Sequence, residues 1–306
     1  MTDLPNNTPK ANSRFESDPE ALILSWSRQD LENRLGFAGG RFTGVNTFCA
    51  FFGAVLLTCA LFAIMLFVLE PSGAGRVVSR LFLRPGNLPT VIPATLLFSW
   101  GAMILLIKRS KLKLQRRALE LGALPDHPEF VLNETTAESV LSQIHHLVDH
   151  PHHFILLNRI DRALSSLKNI GQINDVSSLL RAQAENDEDQ VSSTYTLVNG
   201  FVWAVPVLGF IGTVQGLSYA IGRFGLVLQS QGDMTAIRNS LQGVTSGLAT
   251  AFETTLVALV FALILQLWIT FSQKQEISFL DECNDYCHAR LVSRLRVIKS
   301  PISTLA

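Results

Sequence analysis

Four stretches of the chain carry almost no charge. Residues 45–69, 88–107 and 197–222 contain none, and residues 247–271 contain one, Glu253. Each is apolar on all sides rather than along one stripe. Each is also long enough for a helix that crosses the ~30 Å hydrocarbon core of a bilayer, which takes roughly 20 residues. The pattern predicts four transmembrane helices. Phenylalanine recurs on several faces of the first, at Phe48, Phe51, Phe52, Phe62 and Phe67, which suits a helix in contact with lipid.

Between the spans the pattern changes to helical periodicity. Residues 1–20 are rich in Asn, Pro, Ser and Asp and read as disordered; residues 21–40 read as a short amphipathic helix. Thr135 and Glu138 form a capping-box pattern ahead of Val140, Leu141, Ile144 and Leu147. A second helix is expected over 154–170, ending at Gly171, and a third capped by Asn174 or Asp175. The third meets no breaker before the membrane, so it is expected to run unbroken into the third span and to bend at Pro206. The fourth span likewise continues into the tail, where Ile277, Leu280, Leu291 and Leu295 recur near helical spacing. The fold class is all-α: a membrane protein of four transmembrane helices with long helical extensions.

Charge sets the orientation. Lys plus Arg and Asp plus Glu are 25 each, so net charge says nothing about a polyanionic partner; no nucleic-acid partner is expected. Counted by region, Lys and Arg number 5 in residues 1–44, 3 in 70–87, 10 in 108–196, 2 in 223–246 and 5 in 272–306. Lys108, Arg109, Lys111, Lys113, Arg116 and Arg117 directly follow the second span. The positive-inside rule therefore places both termini and the long middle loop in the cytoplasm, with Arg76, Arg80 and Arg84 of the first outer loop as a counter-signal. The segments are 1–44, cytoplasmic; 45–107, the first two spans; 108–196, a cytoplasmic helical region; 197–272, the last two spans; and 273–306, a cytoplasmic helical tail. The first span is too long for the apolar part of a signal peptide and is expected to remain as an anchor.

Soluble chemistry is hard to find. There is no Walker motif, no dinucleotide fingerprint and no Ser/His/Asp order, so the chain reads as no enzyme and as needing no cofactor. Four cysteines make no disulfide framework, and Cys283 and Cys287 read as packing residues. In the His-rich stretch, His146 and His150 at i, i+4 can share a helix face as metal ligands do; the same stretch also reads as a solvated helix end at Pro151. No metal site is assigned.

The spans themselves carry the informative residues. On a helix Gly209, Gly212, Thr213 and Gly216 fall within about 100° of arc, giving a face with almost no side chain except one hydroxyl. Small faces let helices approach closely in lipid, here expected within a ring of subunits. In the fourth span Ser246, Thr250, Glu253 and Thr254 share a face, continued by Val257, Phe261 and Trp268. Two neighbouring helices are expected to gather Thr213, Thr250 and Glu253 around one small polar space. A charge at the membrane centre costs about 2.5–3.5 kcal/mol on insertion scales. Desolvation favours the neutral acid, and a carboxyl that exchanges a proton suits a proton path. The other reading is a protonated Glu253 hydrogen-bonded to Thr250 or to another helix.

Residues 206–216 resemble the Pro-x-Leu-Gly-x-x-Gly-Thr-Val-x-Gly signature of the MotA/TolQ/ExbB proton-channel family, and residues 248–251 resemble its last-span motif. The detailed likeness covers roughly residues 198–272. It implies a homopentameric ring around two copies of a partner with one transmembrane helix, of the ExbD/TolR/MotB kind, whose membrane aspartate sits beside channel threonines. Thr213 and Thr250 match those threonines. Proton flow then moves the partner, coupling the proton motive force to mechanical work in the envelope, from the bacterial inner membrane. TolQ/ExbB-type members carry a glutamate five positions before the last-span threonine; here that place is Thr245, and the carboxylate is Glu253, three positions after it. Four spans resemble MotA, but its rotor-contacting charges are not matched. The expected function is thus a proton-channel (stator or motor) subunit whose path includes Thr213, Thr250, Glu253 and Thr254, with Gly209, Gly212, Gly216 and Pro206 shaping the packing. The rival is a pentameric scaffold that anchors a periplasmic partner without ion flow. A solute transporter fits less well, since no inverted repeat or broken helix pair is present.

Overall fold

The computed structural model describes residues 24–37, 39–69, 75–124, 131–132, 134–166, 173–229 and 234–295. These residues form helices joined by turns and loops, with isolated bridges at Leu24–Val148 and Leu132–Leu295. Two single turns, α1 (Trp26–Gln29) and α2 (Leu31–Arg34), precede α3 (Thr47–Ile64), which Asn46 caps by accepting from the Phe48 N–H at 3.0 Å. A π-helical turn, Met65–Leu69, ends that span. The short α4 (Gly75–Leu83) leads into α5 (Leu88–Glu120). Then come α6 (Glu134–Leu147), α7 (Ile155–Ser166), α8 (Ile173–Ser193), α9 (Thr196–Gln229) and α10 (Met234–Arg290). Four helical runs, containing α3, α5, α9 and α10, are long and apolar enough to cross a membrane, and the protein is a multi-pass membrane protein. The 57 residues of α10 make a helix about 85 Å long at 1.5 Å per residue, so it runs well past the bilayer, as its sequence pattern predicts.

Several local expectations are corrected. Residues 24–37 form two turns and not one amphipathic helix, because Asp30 caps α2 and ends α1 at the same place. Helix α6 begins at Glu134, so Thr135 lies inside its first turn and not ahead of it. Helix α7 begins one residue late, at Ile155, and α8 begins at Ile173, so Asn174 and Asp175 sit within its first turn. Residues 1–20 and Gly171 lie outside the described residues. Residues 175–225 make one helical run into the third span, as expected, interrupted only by a two-residue break in the α-helical pattern at Thr194–Tyr195. There the Tyr195 N–H bonds the Ser192 carbonyl at 3.1 Å, and the Thr194 hydroxyl turns to accept from Lys108 Nζ at 2.7 Å. A buried ammonium needs an acceptor, and the break supplies one. Helix α9 itself runs on through Pro206.

Helix α5 is the central span. Its most apolar window is 56% buried, against 17% for the first span, which lies at the rim. Aromatic pairs join the spans: Phe98 stacks on Phe261 at 4.3 Å, and Trp100 lies 5.0 Å from Phe51 and 4.9 Å from Phe201. One hydrophobic core continues from the spans into the helical layer beyond them, through Leu105, Phe154, Ile155, Phe279, Cys283 and Cys287. Both cysteines are fully enclosed there.

That layer is fastened by charge. Lys111 reaches Glu32 at 2.5 Å, Asp30 at 3.6 Å and the Gly44 carbonyl at 2.7 Å; Lys108 faces Glu276 at 3.2 Å and the Tyr195 ring at 4.2 Å. The basic run after the second span is therefore not all headgroup-facing, since Lys108 and Lys111 are buried and paired. Asp149 holds the N-terminal strap, accepting from the Trp26 and Ser27 N–H groups at 2.8 and 3.1 Å and from the Ser25 hydroxyl at 2.9 Å. Burial works to raise the Asp149 carboxyl, but these donors outweigh it and hold the group below the ordinary carboxylate range. His145 and His152 approach Asp161 at 3.4 and 3.7 Å, and His153 packs on Trp26 at 5.2 Å. No group of three or more His, Cys, Asp or Glu suited to a metal ion occurs among the described residues.

Candidate functional site

Helices α9 and α10 meet along a seam of small residues. A Cβ on Gly216 would stand 2.5 Å from the Gly247 carbonyl oxygen and 2.7 Å from the Ala251 nitrogen, so backbone touches backbone there. Farther along, Gly209 lies against Ala258, and Gly212 lies under the Thr254 side chain. The glycine face thus has its partner within the same chain, in α10, where the sequence pointed to packing within a ring. Close approach also brings polar groups together: the Thr255 hydroxyl crosses to the Gly209 carbonyl at 3.2 Å. Thr254 is buried in the seam and returns its hydroxyl to the Thr250 carbonyl at 3.0 Å.

The other expected site residues are spread around this seam. Thr213 lies half-buried, one position round from Gly212, and donates to the Phe210 carbonyl at 2.6 Å. Its neighbours Phe210, Ile211 and Val214 are exposed, so this side of α9 is left open by the single chain. Thr250 is buried beneath the turn that leads into α5, where a Cβ on Gly86 would come within 2.8 Å of the Thr250 hydroxyl oxygen. Pro206 lies half-buried inside α9. Among the described residues no hydrogen bond links Thr213, Thr250 and Glu253.

Glu253 has partners that the helix pattern did not name. One carboxylate oxygen pairs with Arg84 Nη1 at 2.9 Å, and the other accepts from Asn87 Nδ2 at 2.8 Å. Asn87, fully buried, also donates to the Leu81 carbonyl at 2.8 Å. The turn 84–87 therefore folds back over α10 and is tied to it by charge. Neither Thr250 nor another span satisfies Glu253. The stripe that begins at Thr250 and Glu253 faces this turn and then α5, where Phe261 meets Phe98. Next to the turn is a cavity of about 430 Å3 between residues 84–86, α9 and α10, lined among others by Gln215, Tyr219, Ser246 and Thr250.

Arg84, Gly86, Asn87 and Thr255 are the site residues that sequence reasoning missed. The only signal for Arg84 was that it is one of the three arginines of loop 70–87 that run counter to the positive-inside pattern. A carboxylate in an apolar span and a stray arginine in the preceding loop are natural partners, but their separation of 169 positions hides it.

No curated protein and no solved structure matches the chain. A family model does, and it starts well before the motifs of the third span, at the His-rich turn, and ends in the extension of α10. Residues 149–280, which include the glycine seam, Thr213, Thr250 and Glu253, match the model of the MotA/TolQ/ExbB proton channel family.

Proposed function

We propose that this protein is the channel subunit of a proton-driven machine of the bacterial inner membrane. It acts as a homopentamer around a single-span partner of the ExbD/TolR/MotB kind and turns the proton motive force into mechanical work in the envelope. The observation that carries the reading is the family match, whose residues 149–280 take in α9, most of α10, Thr213 and Thr250. Orientation follows the Lys and Arg count, with the 108–196 layer and both termini in the cytoplasm. The work is conduction and coupling, not enzyme chemistry.

In this reading the path follows α9 and α10. Thr213, on the open side of α9, and Thr250, beside the cavity, offer hydroxyls that both donate and accept, which a proton-bearing water or carboxyl needs. Thr254, locked under Gly212, sets the spacing of the two helices. Glu253 acts in the path through Arg84.

The test is proton uptake by liposomes that hold the subunit together with the product of a neighbouring gene encoding one apolar span with an aspartate. A pH-sensitive dye inside reports flux. Thr250→Val keeps the side-chain shape and removes the hydroxyl; flux is expected to fall at least tenfold, equivalent to about 1.4 kcal/mol on the barrier. A partner-dependent complex that assembles and passes no protons in the parent would identify a scaffold.

A further inference from the structure

We propose that the cavity between the 84–87 turn and the α9–α10 seam is the water-filled outer antechamber of the proton path, and that Glu253 serves it by neutralising Arg84 at its wall. The proposal rests on the channel reading above for its direction, outer face to Thr250. The cavity itself stands on geometry. At about 430 Å3 it has room for several waters, and Arg84, Gln215, Tyr219, Ser246 and Thr250 offer more than the two to four polar contacts that a buried water requires. Its floor is the Gly216–Gly247 contact, where the two backbones touch, so it ends beside Thr250 and does not run down the seam.

Arg84 is the difficulty for such a chamber. A guanidinium cannot be deprotonated, and an unpaired one at the wall would repel an entering proton. Glu253 stands at 2.9 Å from it and cancels the charge, while Asn87 at 2.8 Å fixes the carboxylate from the other side. The pair also fastens the turn that roofs Thr250. A second cation, Arg223, lies 5.1 Å over the ring of the cavity-lining Tyr219 and donates to its hydroxyl at 3.0 Å in an exposed position. This assignment gives the intramembrane carboxylate a role without a proton on it. It separates Glu253 as a positioning and charge-balancing residue from Glu253 as a carrier.

Charged thiol reagents read the chamber directly, without the partner and without proton flux. The full chain in native membranes, with the exposed Cys59 replaced by Ala, carries Ser246→Cys, or Gln215→Cys as a second reporter. Cationic and anionic methanethiosulfonates of similar size are applied to spheroplasts and, separately, to inverted vesicles. Labelling is expected in spheroplasts. Glu253→Gln is expected to lower the cationic-to-anionic rate ratio by roughly five- to tenfold, as one uncompensated charge several ångströms away would. The double variant Arg84→Gln/Glu253→Gln should return the ratio to within about twofold of the parent, because both charges are then gone. Arg223 is common to all variants and cancels. Failure of both reporters to label, with labelling after denaturation, would overturn the chamber. Labelling only in inverted vesicles would overturn its outward placement. A ratio unchanged by Glu253→Gln, or a double variant as shifted as Glu253→Gln, would overturn the neutralising role. Since the channel reading is tested by flux, either can fail while the other stands.

Discussion

Lys108 and Glu276 face each other at 3.2 Å with 1% and 3% of their side chains exposed; Arg84 and Glu253 stand at 2.9 Å with 36% and 22% exposed. The two pairs lie toward opposite ends of the bundle, one where α5 leaves the apolar layer and one at the turn before α5. The first joins α5 to α10 inside a closed core, beside the helix break at Thr194–Tyr195. The second ties a turn to α10 at the edge of a cavity. A charge sealed from water depends wholly on its partner. A charge that water still reaches is screened, and its pairing contributes little to stability. The buried pair is thus built to hold the bundle, and the half-exposed pair is free to tune what enters it.

The sharpest way to break this contrast is Lys108→Met. It leaves Glu276 buried without a cation, and a loss of about 3–5 kcal/mol is expected. The double variant Lys108→Met/Glu276→Leu should recover most of that, because an apolar pair of similar volume needs no partner. Denaturation in detergent, followed by circular dichroism, measures both. A single variant as stable as the parent would erase the distinction between the two ends.

Gly212→Leu tests the seam between them. Its new side chain has to displace Thr254 of the same chain. Overpacking typically costs about 1–3 kcal/mol, and the expected result is a chain that is cleaved readily by protease even as a monomer. A protease-resistant monomer that merely fails to form the ring would instead place the seam between subunits.

Acid acts on the strapped end. The Asp149 carboxyl is held below its ordinary range when folded, so its contribution is fully present above the unfolded value and is lost as pH falls through the folded one. Cleavage of the 24–46 strap should therefore rise on acidification, and Asp149→Asn should remove about 1–2 kcal/mol of that stability at neutral pH. A strap as resistant at low pH as at neutral pH would assign its stability to Lys111 with Glu32 alone.

Glu253→Gln should move stability least, by under about 1 kcal/mol, while still changing the charge of the cavity. If it destabilised as much as Lys108→Met, the two ends would be equivalent and the outer pair would be a structural fastener only.

The four spans, the long α10 and the small-residue seam were legible from the sequence because each is written in a local period or a local run. Gly209, Gly212 and Gly216 are three and four positions apart, and helical geometry alone puts them on one face. The partner of that face was not legible: a stripe without side chains fits a helix of the same chain or of the next subunit equally well. The partners within the basic run after the second span were equally hidden. Counting charges says nothing of what Lys108 and Lys111 meet, and only the approach of Glu276 and Glu32 from distant parts of the chain buries them.

Glu253 marks the division most clearly. Sequence determined that a carboxylate stands in an apolar helix, one turn below Thr250, and that it must have a partner or be neutral. Which of these holds depends on a turn 166–169 positions away folding back to place Arg84 and Asn87 against it. Local periodicity fixes which residues share a helix face, because a helix has one geometry. It cannot fix what meets that face, because burial and pairing are settled by chain segments remote in sequence that come together only when the bundle closes.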